Sequence, residues 1–256
     1  MKQKIGKKLI RFTDGLLDIG IIGAILLMLC YGGYVLWDAD QIEQAAAAEK
    51  FQIYHPESGL TGDSESSFER LREKNPEVIG WITIPDTQID YPFVQAENNS
   101  KYLRTDVNGE FALAGSIFLD YRNAADFSDV NSVIYGHHVQ DEAMFGDLRL
   151  FEDEDFFQTH READVYFDGQ WHTLELFSFC EVDAYEKTIY EIRRLPEQQA
   201  DYLKSLEQIS LYFRKLEIQK GEHFVSLSTC ITGKGMEGRY VLTGRLLNRS
   251  VMEQGT

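Results

Sequence analysis

Three residues of the chain are of types that suit nucleophilic acyl transfer: Cys230, His137 and Arg239. A cysteine thiolate attacks carbonyl groups, and it works best beside an acid/base and a donor that stabilises the developing oxyanion. Histidine can accept and release a proton near neutral pH, while arginine is permanently charged and offers several donors. The three types predict a covalent mechanism if the fold brings them together.

The local sequence places each of these residues at the end of a predicted strand. Cys230 ends the run HFVSLSTC, before the flexible loop ITGKGMEG, so we expect it at an accessible sheet rim. In YGHH, adjacent histidines would point to opposite sides of an extended chain, so at most one of His137 and His138 can address a given site. Arg239 opens the last strand, and a hairpin across GKGMEG would return it beside Cys230.

Each of these residues also has an ordinary structural interpretation. Cys230 could be a small buried apolar residue, and the histidine pair after Gly136 could lie on the surface. Arg239 could form a surface salt bridge, for instance with Glu237. Cys180, in LELFSFC, is expected to pack in the core, and a Cys180–Cys230 disulfide would abolish the chemistry.

The elements that must position these residues are mostly strands. Short β-rich runs bounded by turn formers predict a mainly β domain, either a closed barrel or a sandwich. Helical spacing predicts interruptions at 144–151 and 197–213, and a capping box predicts a helix that begins at Ser66. The eight runs are 78–84, 89–95, 115–120, 131–137, 163–169, 171–182, 223–230 and 239–247.

Residues 19–37 form an uncharged segment long enough to span a bilayer. Basic residues precede it and acidic residues follow, which predicts a type II anchor with the N-terminus in the cytoplasm. A cleaved signal peptide is the alternative, with AAAAE at 45–49 as a possible cleavage region. The predicted organisation is a cytoplasmic 1–18, a transmembrane 19–37, a juxtamembrane linker 38–65 and a catalytic domain 66–256.

Charge and cysteine content exclude several classes of protein. The net charge is −17, and residues after position 37 carry 20 basic and 40 acidic side chains. Such a surface repels phosphate backbones, so no nucleic-acid partner is expected. The three cysteines show neither a CxxC pair nor zinc-type spacing, so neither a disulfide framework nor a structural metal explains them. No metal or organic cofactor is expected, since side chains would carry the chemistry.

These motifs resemble those of the sortases, and within them the class B members. The family pattern is a Thr-Leu-x-Thr-Cys strand, a Gly-His at a strand end and an Arg that opens the final strand. The matching runs here are SLSTC (226–230), YGHH (135–138) and GRYVLTGRL (238–246). Class B character comes from NPEVIGWITIPDTQIDYPFVQ (75–95), AGSIFLDYRN (114–123) and YGHHVQDEAMFGDL (135–148). The resemblance spans roughly 66–248, and Ser226 stands where Thr is usual.

The resemblance implies an eight-stranded sortase-type β-barrel with N-terminal helices and a helical insertion between strands 6 and 7. It also implies that Cys230 cleaves a C-terminal sorting signal after Thr, forming a thioacyl enzyme that an amine resolves. His137 would transfer protons, with His138 as the fallback, and Arg239 would hold the oxyanion. The expected substrate-binding residues are Ser228, Tyr135, Asn99 and Leu103.

The resemblance leaves the acceptor open between an amine of peptidoglycan precursor and a pilin lysine, at a Gram-positive surface. The insertion at 183–222 is a candidate wall that shields the thioester from water. A papain-type hydrolase is disfavoured because its cysteine precedes its histidine, and the run typical of L,D-transpeptidases is absent. A non-enzymatic membrane-tethered β-domain remains the alternative from another class.

Overall fold

The computed structural model describes residues 17–37, 48–56, 67–137, 143–231 and 238–248, with only the backbone of Cys230. The chain divides into two compact units, Met1–Gln44 and Ala45–Thr256. The described part of the first unit is helix α1 (Leu17–Trp37), which has the length and apolar composition needed to cross a membrane. At about 1.5 Å per residue it matches the hydrocarbon thickness of a bilayer. It is therefore a candidate membrane anchor.

The second unit contains a closed β-barrel. Its strand order is β5-β1-β2-β3-β4-β8-β9-β6, and β6 pairs back onto β5 to close the ring. Strand β7 pairs with the same edge of β6 as β5, further along the strand, because β9 occupies the opposite edge there. The strands are β1 (Val78–Thr83), β2 (Asp90–Val94), β3 (Ile117–Leu119), β4 (Asn131–Tyr135), β5 (Glu162–Phe167), β6 (Gln170–Asp183), β7 (Tyr212–Phe213), β8 (Phe224–Cys230) and β9 (Gly238–Asn248).

Strand β6 makes closure possible because it is long enough to serve two neighbours. It pairs with β5 through its first residues and with β9 along nearly its whole length. A register irregularity between Leu176 and Ser178 interrupts the β9 ladder, and such irregularities bend strands. Large side chains, among them Trp81, Phe93 and Phe177, are fully buried and form the core.

Helices lie at the periphery of the barrel. They are α2 (Ser67–Lys74), α3 (Glu154–Thr159), α4 (Lys187–Tyr190) and α5 (Gln199–Ile209). Short 3-10 turns cover Ala48–Lys50, Gln52–Tyr54, Lys101–Leu103, Gly146–Glu152 and Pro196–Gln198. Helices α4 and α5 form the insertion that follows β6, and α5 packs Tyr202 and Leu206 into the same cluster as Phe224. The expected barrel with a helical insertion is thus confirmed.

The structure corrects two helical predictions. The helix expected over 197–213 ends at Ile209, because Ser210 is extended and turns its hydroxyl back to the carbonyl of Leu206 (2.6 Å). Tyr212 and Phe213 instead form β7, which the sequence analysis missed. The segment expected as a helix over 144–151 instead forms a 3-10 helix over Gly146–Glu152. The cap at Ser66 lies outside the described residues.

Part of the segment interpreted as a linker lies against the barrel. Phe51 is buried, with its ring 6.3 Å from that of Tyr91. The His55 ring stacks on Trp171 (5.5 Å), and its carbonyl accepts a hydrogen bond from Ser67 Oγ (2.8 Å). Residues 48–56 therefore belong to the packed body of the second unit.

Candidate active site

The site is built around the end of β8, which lies between two strands. On one side β4 runs parallel to β8, with Tyr135 opposite Ser228. On the other side β9 is antiparallel, with Arg239 opposite Cys230. His137 lies two residues after Tyr135, and Cys230 lies two residues after Ser228. The backbone therefore brings the three residues singled out from the sequence to one edge of the barrel.

The pairing type of Cys230 and Arg239 follows from the next rung of the ladder. Ile231 N donates to Gly238 O (3.0 Å), so the rung beyond Cys230 and Arg239 is hydrogen-bonded. Rungs alternate in an antiparallel ladder, so Cys230 and Arg239 form a non-hydrogen-bonded pair. In such pairs the two Cα atoms are only about 4.5 Å apart.

A cavity of about 310 Å³ opens beside this edge. Five of the residues predicted from the sequence line it: His137, Arg239, Ser228, Tyr135 and Leu103. The sequence analysis missed the others, which are Phe118, Arg122, Gly136, Ala184, Tyr190 and Thr229. Two of those, Ala184 and Tyr190, come from the segment that follows β6, so the insertion supplies one wall of the cavity.

His137 is held by the carbonyl of Leu103, which lies 3.2 Å from Nε2. A carbonyl can only accept, so Nε2 carries the hydrogen and Nδ1 is the nitrogen that can take up a further proton. Burial lowers the pKa of His137 below its ordinary value, and the Leu103 hydrogen bond only partly offsets this effect. The imidazole is therefore predominantly neutral at pH 7.

Gly136 lies where two segments of the barrel approach closely. Its backbone does not adopt a positive φ, but an added Cβ would meet the Phe145 ring at 2.5 Å. Phe145 N also donates to His137 O (3.1 Å). Glycine therefore lets the segment that starts at residue 143 approach the backbone around His137. His138 lies outside the described residues.

Arg239 is half-buried and lines the cavity. Its Nη1 donates to Gly238 O (2.8 Å), which fixes one edge of the guanidinium. The alternative salt bridge with Glu237 lies outside the described residues. A fixed cation at the cavity is the arrangement that oxyanion stabilisation requires.

Tyr190 connects the insertion to the β8 strand. Its hydroxyl is 2.9 Å from Ser228 Oγ, and its ring is stacked 6.1 Å from that of Tyr135. Ser228 is buried, so this hydrogen bond joins a strand hydroxyl to the cavity wall. No periodic pattern in the sequence marks Tyr190, because its position depends on how the insertion returns to the barrel.

The carboxylate of Asp120 organises the region behind the cavity. Arg122 donates to it from its backbone N and Nε (2.9 Å each) and from Nη2 (2.7 Å), and Tyr135 OH donates at 3.0 Å. Burial acts to raise the pKa of Asp120, but the hydrogen bonds from Arg122 and Asn99 outweigh it, so the pKa is lowered. Asp120 is thus a buried carboxylate anion.

Asn99 contributes to this network and is not among the residues that line the cavity. Its Nδ2 donates to Asp120 (3.1 Å), and its Oδ1 accepts from Tyr121 N (2.9 Å). The amide is therefore bonded within the protein at both ends. Asn99 therefore stabilises the Asp120 carboxylate through this hydrogen bond.

Cys180 is a buried free thiol away from this edge. Its Sγ lies 3.4 Å from Ser178 Oγ, and burial raises the pKa of the thiol. A raised pKa disfavours the thiolate. Among the described residues, no group of three or more His, Cys, Asp or Glu could hold a metal ion.

Comparison with known proteins identifies the family. A model of the sortase domain matches residues 82–247. The chain is 31% identical to sortase B of Listeria monocytogenes over 255 residues, which cover 94% of this chain and 100% of that protein. It belongs to the class B sortases. Sortases are transpeptidases that act on surface proteins bearing sorting signals, so the family activity is transpeptidation.

Solved class B sortases share the fold described above. Sortase B from Bacillus anthracis is 34% identical, with a TM-score of 0.71 and coverage of 83% of this sortase and 100% of that chain. A Streptococcus pyogenes class B sortase involved in pilus biogenesis is also 34% identical, with a TM-score of 0.65 and coverage of 70% and 97%. The closed β-barrel is therefore a feature that this sortase shares with its family.

Proposed function

We propose that this sortase is a cysteine transpeptidase that cleaves a sorting signal after Thr and transfers the protein to an amine of cell-wall precursor. The observation that carries the proposal is the position of Cys230 on β8, opposite Arg239. Cys230 lies two residues after Ser228, and His137 lies two residues after Tyr135, the residue paired with Ser228. Nucleophile, proton carrier and cation thus belong to adjacent strands at one cavity.

Acylation begins with attack of the Cys230 sulfur on the carbonyl carbon of Thr. The negative charge that develops on the carbonyl oxygen is held by the Arg239 guanidinium. Neutral His137 takes the thiol proton and gives it to the leaving amine, so the C–N bond breaks as the thioester forms. A largely neutral imidazole suits this role because it is ready to accept the proton.

Deacylation reverses the proton path. The incoming amine attacks the thioester, and His137 removes its extra proton and passes it to the sulfur of Cys230 as the C–S bond breaks. Arg239 again holds the oxyanion. Amide formation restores the enzyme without any cofactor, since every step uses protein side chains.

The cavity supplies the binding site for the sorting signal. Ser228, Tyr135 and Leu103 line it and can contact the peptide, whereas Asn99 acts through Asp120. Clefts of a few hundred cubic ångströms are the usual size of binding sites. The peptide would lie along the cavity with its Thr near Cys230.

The candidate anchor and the charges around it support an extracytoplasmic location for this chemistry. Basic residues before α1 favour the cytoplasmic side, which makes the protein a single-pass type II membrane protein with an extracytoplasmic catalytic unit. A Gram-positive surface supplies both the anchored substrate and the wall precursor. Similarity to a sortase involved in pilus biogenesis favours a pilin lysine as the second candidate acceptor.

The test uses the full chain in detergent micelles with a panel of sorting-signal peptides. We expect mass spectrometry to detect a thioacyl adduct on Cys230 and transfer of the acyl group to an added wall-type amine or pilin lysine. Cys230→Ala should abolish both, while Cys180→Ala, a change at a buried free thiol, should retain them. An unreactive Cys230 across the panel would support a non-enzymatic β-domain instead.

A further inference from the structure

Tyr190 is fixed in the cavity wall from three directions. Its hydroxyl meets Ser228 Oγ (2.9 Å), its ring stacks on Tyr135 (interplanar angle 14°), and its carbonyl accepts from Arg122 Nη2 (3.1 Å). A side chain held by hydroxyl, ring and backbone has little rotational freedom. The wall is therefore rigid where it faces the cavity.

Two of these three attachments depend on one buried carboxylate. Asp120 binds Arg122 through both of its oxygens and also accepts from the hydroxyl of Tyr135. Asp120 is fully buried, and charge-assisted hydrogen bonds of this kind are about twice as strong as neutral ones. We call this set the Asp120 clamp, and it consists of Asp120, Arg122, Tyr135, Tyr190 and Ser228.

The clamp ends close to the proposed nucleophile. Ser228 precedes Cys230 by two residues on β8, which is about 7 Å along a strand. Tyr190 lines the same cavity as His137 and Arg239. A thioester on Cys230 would therefore form beside the wall that Tyr190 provides.

We infer that the Asp120 clamp sets the choice between amine and water as acceptor, with Arg122 as a positioning residue that acts through Tyr190. In both outcomes the C–S bond of the thioester breaks. Amine attack forms a C–N bond and water attack forms a C–O bond, and His137 takes the proton lost by the attacking group. Holding Tyr190 against the thioester keeps water from the carbonyl until the amine arrives. This inference rests on the proposed function.

Each acylation releases one C-terminal fragment, and the test measures the ratio in which the acyl groups then end as amide or as acid. It uses full-length protein, one sorting peptide and a fixed amine concentration. Arg122→Gln removes the clamp's cation and with it the hydrogen bond to the Tyr190 carbonyl, and the ratio should fall about fivefold, the effect expected for losing that one bond to Tyr190. Tyr190→Ala should lower the ratio at least as far. The matched control is Arg72→Gln, an exposed arginine of α2 paired with Glu69, which should leave the ratio unchanged.

The double variant Arg122→Gln/Tyr190→Ala separates positioning from a direct role. If Arg122 acts through Tyr190, the double variant should match Tyr190→Ala alone. Additive losses would overturn the inference, as would an unchanged ratio in Arg122→Gln or an equal fall in Arg72→Gln. A ratio per released fragment is independent of the acylation rate, so general loss of stability does not mimic the effect.

The same assay separates the two proposals. If the unmodified protein releases the fragment but the clamp variants leave the ratio of amide to acid product unchanged, only the inference is overturned. Absence of any released fragment from the unmodified protein would overturn the proposed function, and the inference with it.

Discussion

Cys230, the last residue of β8, lies opposite Arg239 of β9 as a non-hydrogen-bonded pair. Six consecutive rungs without a bulge lead up to this pair, starting from Phe224 opposite Arg245. A slip of one residue would turn every buried side chain of either strand to the opposite face. The place of Arg239 beside Cys230 is therefore fixed by the whole ladder, independently of the loop that joins the strands.

The first prediction concerns Arg239 as the oxyanion donor. Arg239→Gln should slow formation of the thioacyl enzyme by about 10²- to 10³-fold, the effect of removing one oxyanion donor in other enzymes. Rapid quenching followed by mass spectrometry of the adduct on Cys230 measures this rate. Thermal unfolding of the same variant checks that the barrel is intact. A loss of less than tenfold with an intact fold would contradict the assigned role.

The second prediction concerns the protonation of His137. Because burial lowers its pKa, NMR titration of its ring should give a value below the ordinary 6.5 or so. The unfolded chain then binds more protons than the folded one just below pH 6.5, so the free energy of unfolding should fall as the pH drops through this window.

A matched variant isolates this effect. His137→Gln should flatten the fall in unfolding free energy between about pH 6.5 and 5, measured by urea titration at each pH. The carboxylates with lowered pKa, such as Asp120, lose their contribution only at lower pH and do not interfere. An equal slope in both proteins would show that His137 is not the group responsible.

The third prediction concerns the close contact of Gly136 and Phe145. Gly136→Ala would place Cβ 2.5 Å from the ring, so the 143–148 segment must shift, at about 1–3 kcal/mol of unfolding free energy. The shift should also disturb His137, whose carbonyl accepts from Phe145 N. Urea denaturation measures the loss. In a Phe145→Ala background the same substitution should be nearly neutral, and equal losses in both backgrounds would exclude the contact as the cause.

The barrel was predictable because its strands carry local signals. Residues 162–167 alternate in burial as a half-buried strand should, and each of the eight predicted runs forms a strand with ends within two residues of expectation. Strand β7 was missed because a two-residue strand has no periodicity to detect. Its pairing with β6 depends on where α5 ends.

The cavity was only partly predictable, for a different reason. Residues at strand ends, such as His137 and Arg239, could be placed because the strands themselves were recognised. Arg122 and Tyr190 enter the cavity through contacts between distant segments, which leave no pattern in the local sequence. For Asn99 the family resemblance suggested a peptide contact, which stays a prediction, and the structure shows its amide hydrogen-bonded to Asp120 and Tyr121.

The fourth prediction concerns the N-terminal limit of the folded catalytic unit, which the sequence analysis set at residue 66. Phe51 is only 6% exposed and packs on Tyr91, so Phe51→Ala should lower the unfolding free energy by about 3–5 kcal/mol. Ile53, two residues away and 64% exposed, is the matched control, and Ile53→Ala should change it by less than about 0.5 kcal/mol.

Urea denaturation of the full chain in detergent micelles, followed by tryptophan fluorescence, measures both variants, because Trp81 and Trp171 flank His55 of the same segment. A version that begins at residue 66 should then be less stable than one that begins at residue 45, because it lacks the buried Phe51 side chain and the His55 stack. Equal stability of these two versions, together with a neutral Phe51→Ala, would place the limit of the folded unit at residue 66 after all.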